Sequence, residues 1–158
     1  MEWGTLAGTG IGALVGVGST LAADRVRWRR EDADRARRER RDMYVTCLTK
    51  YRLAYEDMHA AAGAHRDAPS AERESAVRTA FRASGCDEVR ETALICAPEA
   101  MSAVIEDVYA SLRELLEVLA AGEPALGTPE FEESRLRHAR AVWAARAAMR
   151  EQLARRDV

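Results

Sequence analysis

Between Glu2 and Asp24 the chain carries no ionisable side chain. As a helix, the uncharged stretch 3–23 would be about 31 Å long at 1.5 Å per residue, close to the hydrocarbon thickness of a bilayer. A soluble core helix of that length shows a polar face, and this stretch has none. Six of its residues are glycine, so it is only moderately apolar and its flanks decide the reading. Arg25, Arg27, Arg29 and Arg30 follow at once, against a lone Glu2 on the other side. The positive-inside bias then predicts a single-pass inner-membrane protein with its N-terminus outside and the remainder in the cytoplasm. Trp3 and Trp28 fall near the two ends, where interfacial indoles are favoured. A cleaved signal peptide would need a basic leader, which Met1-Glu2 does not supply, and the arginines behind residues 20–23 would resist translocation.

Gly4, Gly8, Gly12 and Gly16 recur every fourth residue. Successive members advance about 40° around a helix, so they predict one continuous groove. Leu6, Ile11, Leu14, Val17 and Leu21 lie largely on the other side. In lipid, small residues let helix backbones approach closely. The stripe therefore predicts span packing and a homo-oligomer.

From Asp24 to Asp42 the chain has nine arginines and six acidic residues. It reads as a charged helical neck with i,i+4 pairs at Glu31–Arg35, Asp34–Arg38, Arg35–Glu39 and Arg38–Asp42. Arg25, Arg27, Arg29 and Arg30 are placed to meet anionic lipid headgroups. Nucleic acid is excluded as a partner, because the interleaved carboxylates repel phosphate and no stacking aromatics are interspersed. A net charge of −2 points the same way.

Residues 43–158 read as a cytoplasmic, all-α, antiparallel four-helix-type bundle. Tyr44, Leu48, Tyr51, Tyr55, Met58 and Ala62 alternate by fours and threes. After a loop at 63–70, Ser70 is placed to cap a short helix carrying Val77, Ala80 and Phe81, which Gly85 ends. A second short piece carries Val89, Ala93, Leu94 and Cys96. Pro98 stands at a helix start, and Met101, Ile105, Val108, Leu112, Leu115 and Leu119 form the strongest apolar seam of the chain. Thr128-Pro129-Glu130 gives a cap, a first-turn proline and an acid that complements the helix dipole. The last helix is expected to turn Leu136, Ala139, Trp143, Ala147 and Leu153 inward.

Chemistry-bearing motifs are few. Glu56-Asp57-Met58-His59 has the Glu-x-x-His spacing of bundle metal sites, but those need a second copy, and His65 and His138 have Ala62 and Arg135 three residues before them. Cys47, Cys86 and Cys96 match no zinc or redox spacing. In a cytoplasmic domain they are reduced, and Cys47 and Cys96 read as small core residues. No nucleophile elbow, phosphate loop or dinucleotide fingerprint occurs. The sequence therefore predicts no enzyme, cofactor or metal.

The border Ser19-Thr20-Leu21-Ala22-Ala23-Asp24-Arg25-Val26-Arg27-Trp28-Arg29-Arg30 resembles that of small uncharacterised actinobacterial membrane proteins, which have one glycine-rich N-terminal span and a helical cytoplasmic domain. The resemblance covers about the first 45 residues and implies topology alone. The expected function is a membrane-anchored adaptor or scaffold that self-associates through its span and binds a cytoplasmic protein through its bundle. The alternatives are a pore-forming or holin-like effector and, behind it, a small helical enzyme or metal carrier.

Overall fold

Helix ends fall where glycine and proline interrupt the apolar spacing. The computed structural model describes residues 3–121 and 125–155, with side chains described from residue 24 onward. The helices are α1 (Trp3–Ala64), α2 (Ser70–Ala83), α3 (Cys86–Cys96), α4 (Glu99–Ala120) and α5 (Pro129–Ala154). No strand occurs among the described residues. The fold is all-α.

The chain divides into two units, residues 1–39 and, among the described residues, 40–155. In the first unit the described side chains are mostly exposed, Trp28 among them. The neck carries the ion pairs Arg27–Glu31 at 2.8 Å and Arg41–Asp42 at 3.3 Å, neither of which is among the four expected from spacing. At charge densities this high each arginine has several acids within one turn, so spacing alone does not select the partner. No helix among the described residues is long and apolar enough to cross a membrane. The stretch 3–23, with Gly4, Gly8, Gly12 and Gly16, lies outside the residues whose side chains are described.

The second unit is the bundle. Its core takes Tyr44, Cys47, Tyr51, Ala54, Met58 and Ala62 from α1, Val77 and Phe81 from α2, and Cys86 and Ala93 from α3. The α4 seam is buried at every expected position, Met101, Ile105, Val108, Leu112, Leu115 and Leu119, and α2, α3 and α5 all pack on it. The pairs Arg78–Glu117, Asp87–Tyr109 and Arg90–Glu106 step in opposite directions along the two sides. So α2 and α3 keep one antiparallel register against α4 across the break between them. Tyr44–Gln152, Tyr55–His138 and His59–Phe131 set α1 antiparallel to α5 in the same way.

The break itself has a local cause. Gly85 has φ of 71°, a left-handed conformation that glycine alone adopts without strain. Beside it the buried Ser84 hydroxyl donates to the Phe81 carbonyl at 2.6 Å and accepts from the Cys86 N–H at 3.2 Å. One side chain thus serves the end of α2 and the start of α3.

Three expectations for the bundle are corrected. Ser70 is not a cap: Pro69 takes that place, and its carbonyl accepts from the Glu72 and Arg73 N–H groups. Cys96 is exposed, whereas Cys86 is the buried thiol beside Cys47, because the inward stripe of α3 runs Cys86, Val89, Ala93 and on to Ala97. The inward face of α5 is Phe131, His138, Ala145 and Met149. Leu136 and Trp143 stand outward at 46% and 66% exposure, Ala147 is exposed, and Ala139 and Leu153 are half-buried. Phe131 anchors the face directly after the Thr128 cap, and residues seven and fourteen positions on follow it inward.

Candidate functional site

Two grooves run along α5, and a buried polar pair separates them. The larger, of about 500 Å³, lies between α4 and α5 and is lined by Val104, Asp107, Ser111, Glu114, Arg137, Arg140 and neighbouring alanines. The smaller, of about 200 Å³, lies between α1 and α5, lined by Leu48, Arg52, Tyr55, His138, Ala139, Val142, Trp143 and Arg146. Ser111 borders the first and His138 the second, with Ser111 Oγ 2.9 Å from His138 Nδ1.

The Ser111 hydroxyl also donates to the Val108 carbonyl at 2.7 Å. With its proton on that carbonyl, the hydroxyl accepts from His138 in the tautomer protonated at Nδ1. Burial pushes the His138 pKa down to about 4, because no charge partner offsets the loss of hydration. The neutral ring stacks on Tyr55 at 6.0 Å and 24°. Its chemistry is that of a register-fixing polar contact between α4 and α5, flanked by α1.

A second cluster ties α4 to its neighbours. Arg78 donates to both oxygens of Glu117 at 2.8 and 3.1 Å, Arg137 holds Glu114 at 2.8 and 3.0 Å, and Arg90 is bidentate on Glu106. Each clip joins a different helix to α4, and Arg78 keeps the Glu117 carboxyl below its ordinary value. Arg90 also lies 4.6 Å from the centre of the Tyr109 ring, whose hydroxyl donates to Asp87 at 2.6 Å. Burial and this bond push the Tyr109 pKa up to about 12. These partners lie 16 to 39 residues apart, so no local pattern announces them. The one sequence signal was the run of acids on the outward side of an otherwise apolar α4.

No family model, curated protein or solved structure matches the chain. The assignment of function therefore rests on the residues themselves.

Of the residues expected to meet lipid headgroups, Arg25, Arg27, Arg29 and Arg30 are all exposed, and Arg27 donates to Glu31. Gly4, Gly8, Gly12 and Gly16 fall outside the described surroundings. Among the described residues no group of three or more histidines, cysteines or acids could hold a metal ion. Glu56 faces Arg52 at 3.8 Å, and the His59 ring lies against Tyr55 and Phe131. Burial raises the pKa of both Cys47 and Cys86, which keeps these thiols protonated.

Proposed function

We propose that the chain is a single-pass, membrane-anchored helical adaptor, with its N-terminus outside and residues 43–158 in the cytoplasm. The observation that carries this reading is the uncharged stretch 3–23 running straight into Arg25, Arg27, Arg29 and Arg30. The exposure of those four arginines on α1 is consistent with headgroup contact. In this reading Gly4, Gly8, Gly12 and Gly16 pack one span against another, and the bundle presents its surface to a cytoplasmic protein. The bundle supports a binding role because it is held by its own core and clips, which leaves its outer surface to recognition. The resemblance of residues 19–30 to actinobacterial single-pass proteins points to the same topology.

Membrane fractionation of the tagged chain tests the proposal, combined with protease access to each terminus. Retention in the pellet through carbonate extraction, with only the N-terminal tag cleaved from outside, is the expected result. Release by carbonate or an accessible C-terminal tag overturns it. Crosslinking of Gly12→Leu against the unaltered chain then tests the stripe: oligomer bands should weaken.

A further inference from the structure

From Arg135 to Arg150 the chain carries five arginines and no acid. Arg135 and Arg137 are engaged by Glu132 and Glu114. Arg140, Arg146 and Arg150 are exposed and make no ion pair or hydrogen bond with any described residue. At 100° per residue they stand within about 60° of Trp143 around the helix axis, and Leu136 stands within about 20°. Trp143 is 66% exposed and Leu136 46%. Between residues 135 and 150 this outward arc carries only cationic charges and the two large apolar side chains that α5 leaves exposed; Glu132, on the same arc one turn before Leu136, is held by Arg135.

We infer that this face of α5 docks on an anionic phospholipid surface. Charge complementarity sets the sign of the partner, since three unpaired guanidiniums on one arc cost energy to bring together without an anion. The indole settles the kind of partner. A membrane interface offers phosphate oxygens and acyl chain within a few ångströms of each other, which suits arginines that hold phosphate around a tryptophan that enters the headgroup boundary. Its apolar and basic residues are intermixed, as a broad interface accepts. An acidic protein docking helix would want a groove instead; of the two that border the arc, the one beside Trp143 and Arg146 holds only about 200 Å³, and the one of about 500 Å³ beside Arg140 carries Asp107 and Glu114, which repel acid. The inference rests on the membrane reading and deepens it, because anchoring raises the effective concentration of lipid around the bundle, so little intrinsic affinity is needed.

Tryptophan quenching in the full chain separates the two claims. The double variant Trp3→Phe, Trp28→Phe leaves Trp143 as sole reporter, and Trp3→Phe, Trp143→Phe leaves Trp28. Each is reconstituted with phosphatidylcholine vesicles, with or without phosphatidylglycerol, containing lipid brominated high on the acyl chain. Trp143 should be quenched in the anionic vesicles, weakly in the neutral ones, and less as salt rises. Arg140→Gln, Arg146→Gln and Arg150→Gln should each lower the docked-to-free ratio about fivefold, with Trp28 unchanged. The salt titration needs no arginine variant and so stands even if one of these variants misfolds. Quenching of Trp28 without Trp143 leaves the anchor and overturns docking. Quenching of Trp143 without Trp28 does the reverse. Equal quenching of Trp143 in neutral and anionic vesicles overturns the electrostatic basis, and no quenching of either overturns both claims.

Discussion

His138 makes the stability of the bundle depend on pH in a window set by one ring. Its pKa in the folded chain is about 4, against an ordinary value of 6.5. Below pH 6.5 the unfolded chain takes up a proton that the folded chain refuses, so stability falls as pH falls until the folded ring also titrates. The slope in that window is about 1.4 kcal/mol per pH unit, which gives a loss on the order of 3 kcal/mol by pH 4. Urea denaturation of residues 40–158, followed by circular dichroism at several pH values, measures it. This segment is suitable because every core residue lies between Tyr44 and Met149. His138→Gln removes the titration and keeps a polar atom near Ser111, so its curve should be flatter through the window. Glu117 contributes separately: its lowered carboxyl adds stability above the ordinary carboxylate range and loses it as pH falls through the lowered value. That contribution is common to both proteins and cancels in the difference. Equal slopes for the variant and the parent would refute the buried, uncharged ring.

Other outcomes follow from packing and backbone geometry. Leu112→Ala should cost about 2–5 kcal/mol by the same urea assay, since Leu112 is fully buried in the centre of the α4 seam. Gly85→Ala should cost about 1–2 kcal/mol, measured as a lower thermal midpoint, because φ of 71° crowds a Cβ. Met149→Ala should cost about 2–5 kcal/mol, while Trp143→Ala should stay within about 0.5 kcal/mol; the opposite order would restore the discarded face of α5. A maleimide should label Cys96 quickly in the native chain and reach Cys47 and Cys86 only on unfolding, as mass spectrometry would show.

The α4 seam was legible because large aliphatic residues alternate there with acids and alanines at helical spacing. The Thr128-Pro129 start was legible because capping is local chemistry, and the hydroxyl does accept from the Phe131 N–H. The inward face of α5 was not. Alanine occupies so many of its positions that Leu136 and Trp143 supplied the visible periodicity, and both belong to the outward arc. The working face is marked by Phe131, by a histidine that sequence alone counts as polar, and by an alanine. The Ser111–His138 pair and the glutamate clips join residues far apart in the chain, so they become visible only when the helices are placed side by side.

The central position of α4 has a consequence during synthesis. The ring contacts of α1 with other helices reach Tyr109, His138 and Phe131, all C-terminal to residue 98, and α2 and α3 both pack on α4. A nascent chain that has exposed only its first three helices therefore lacks the α4 seam on which α2 and α3 pack. The core closes in full only after α4, with its buried seam from Met101 to Leu119, clears the ribosome. Any N-terminal segment destined for a bilayer would thus be free to insert before the domain behind it has taken shape.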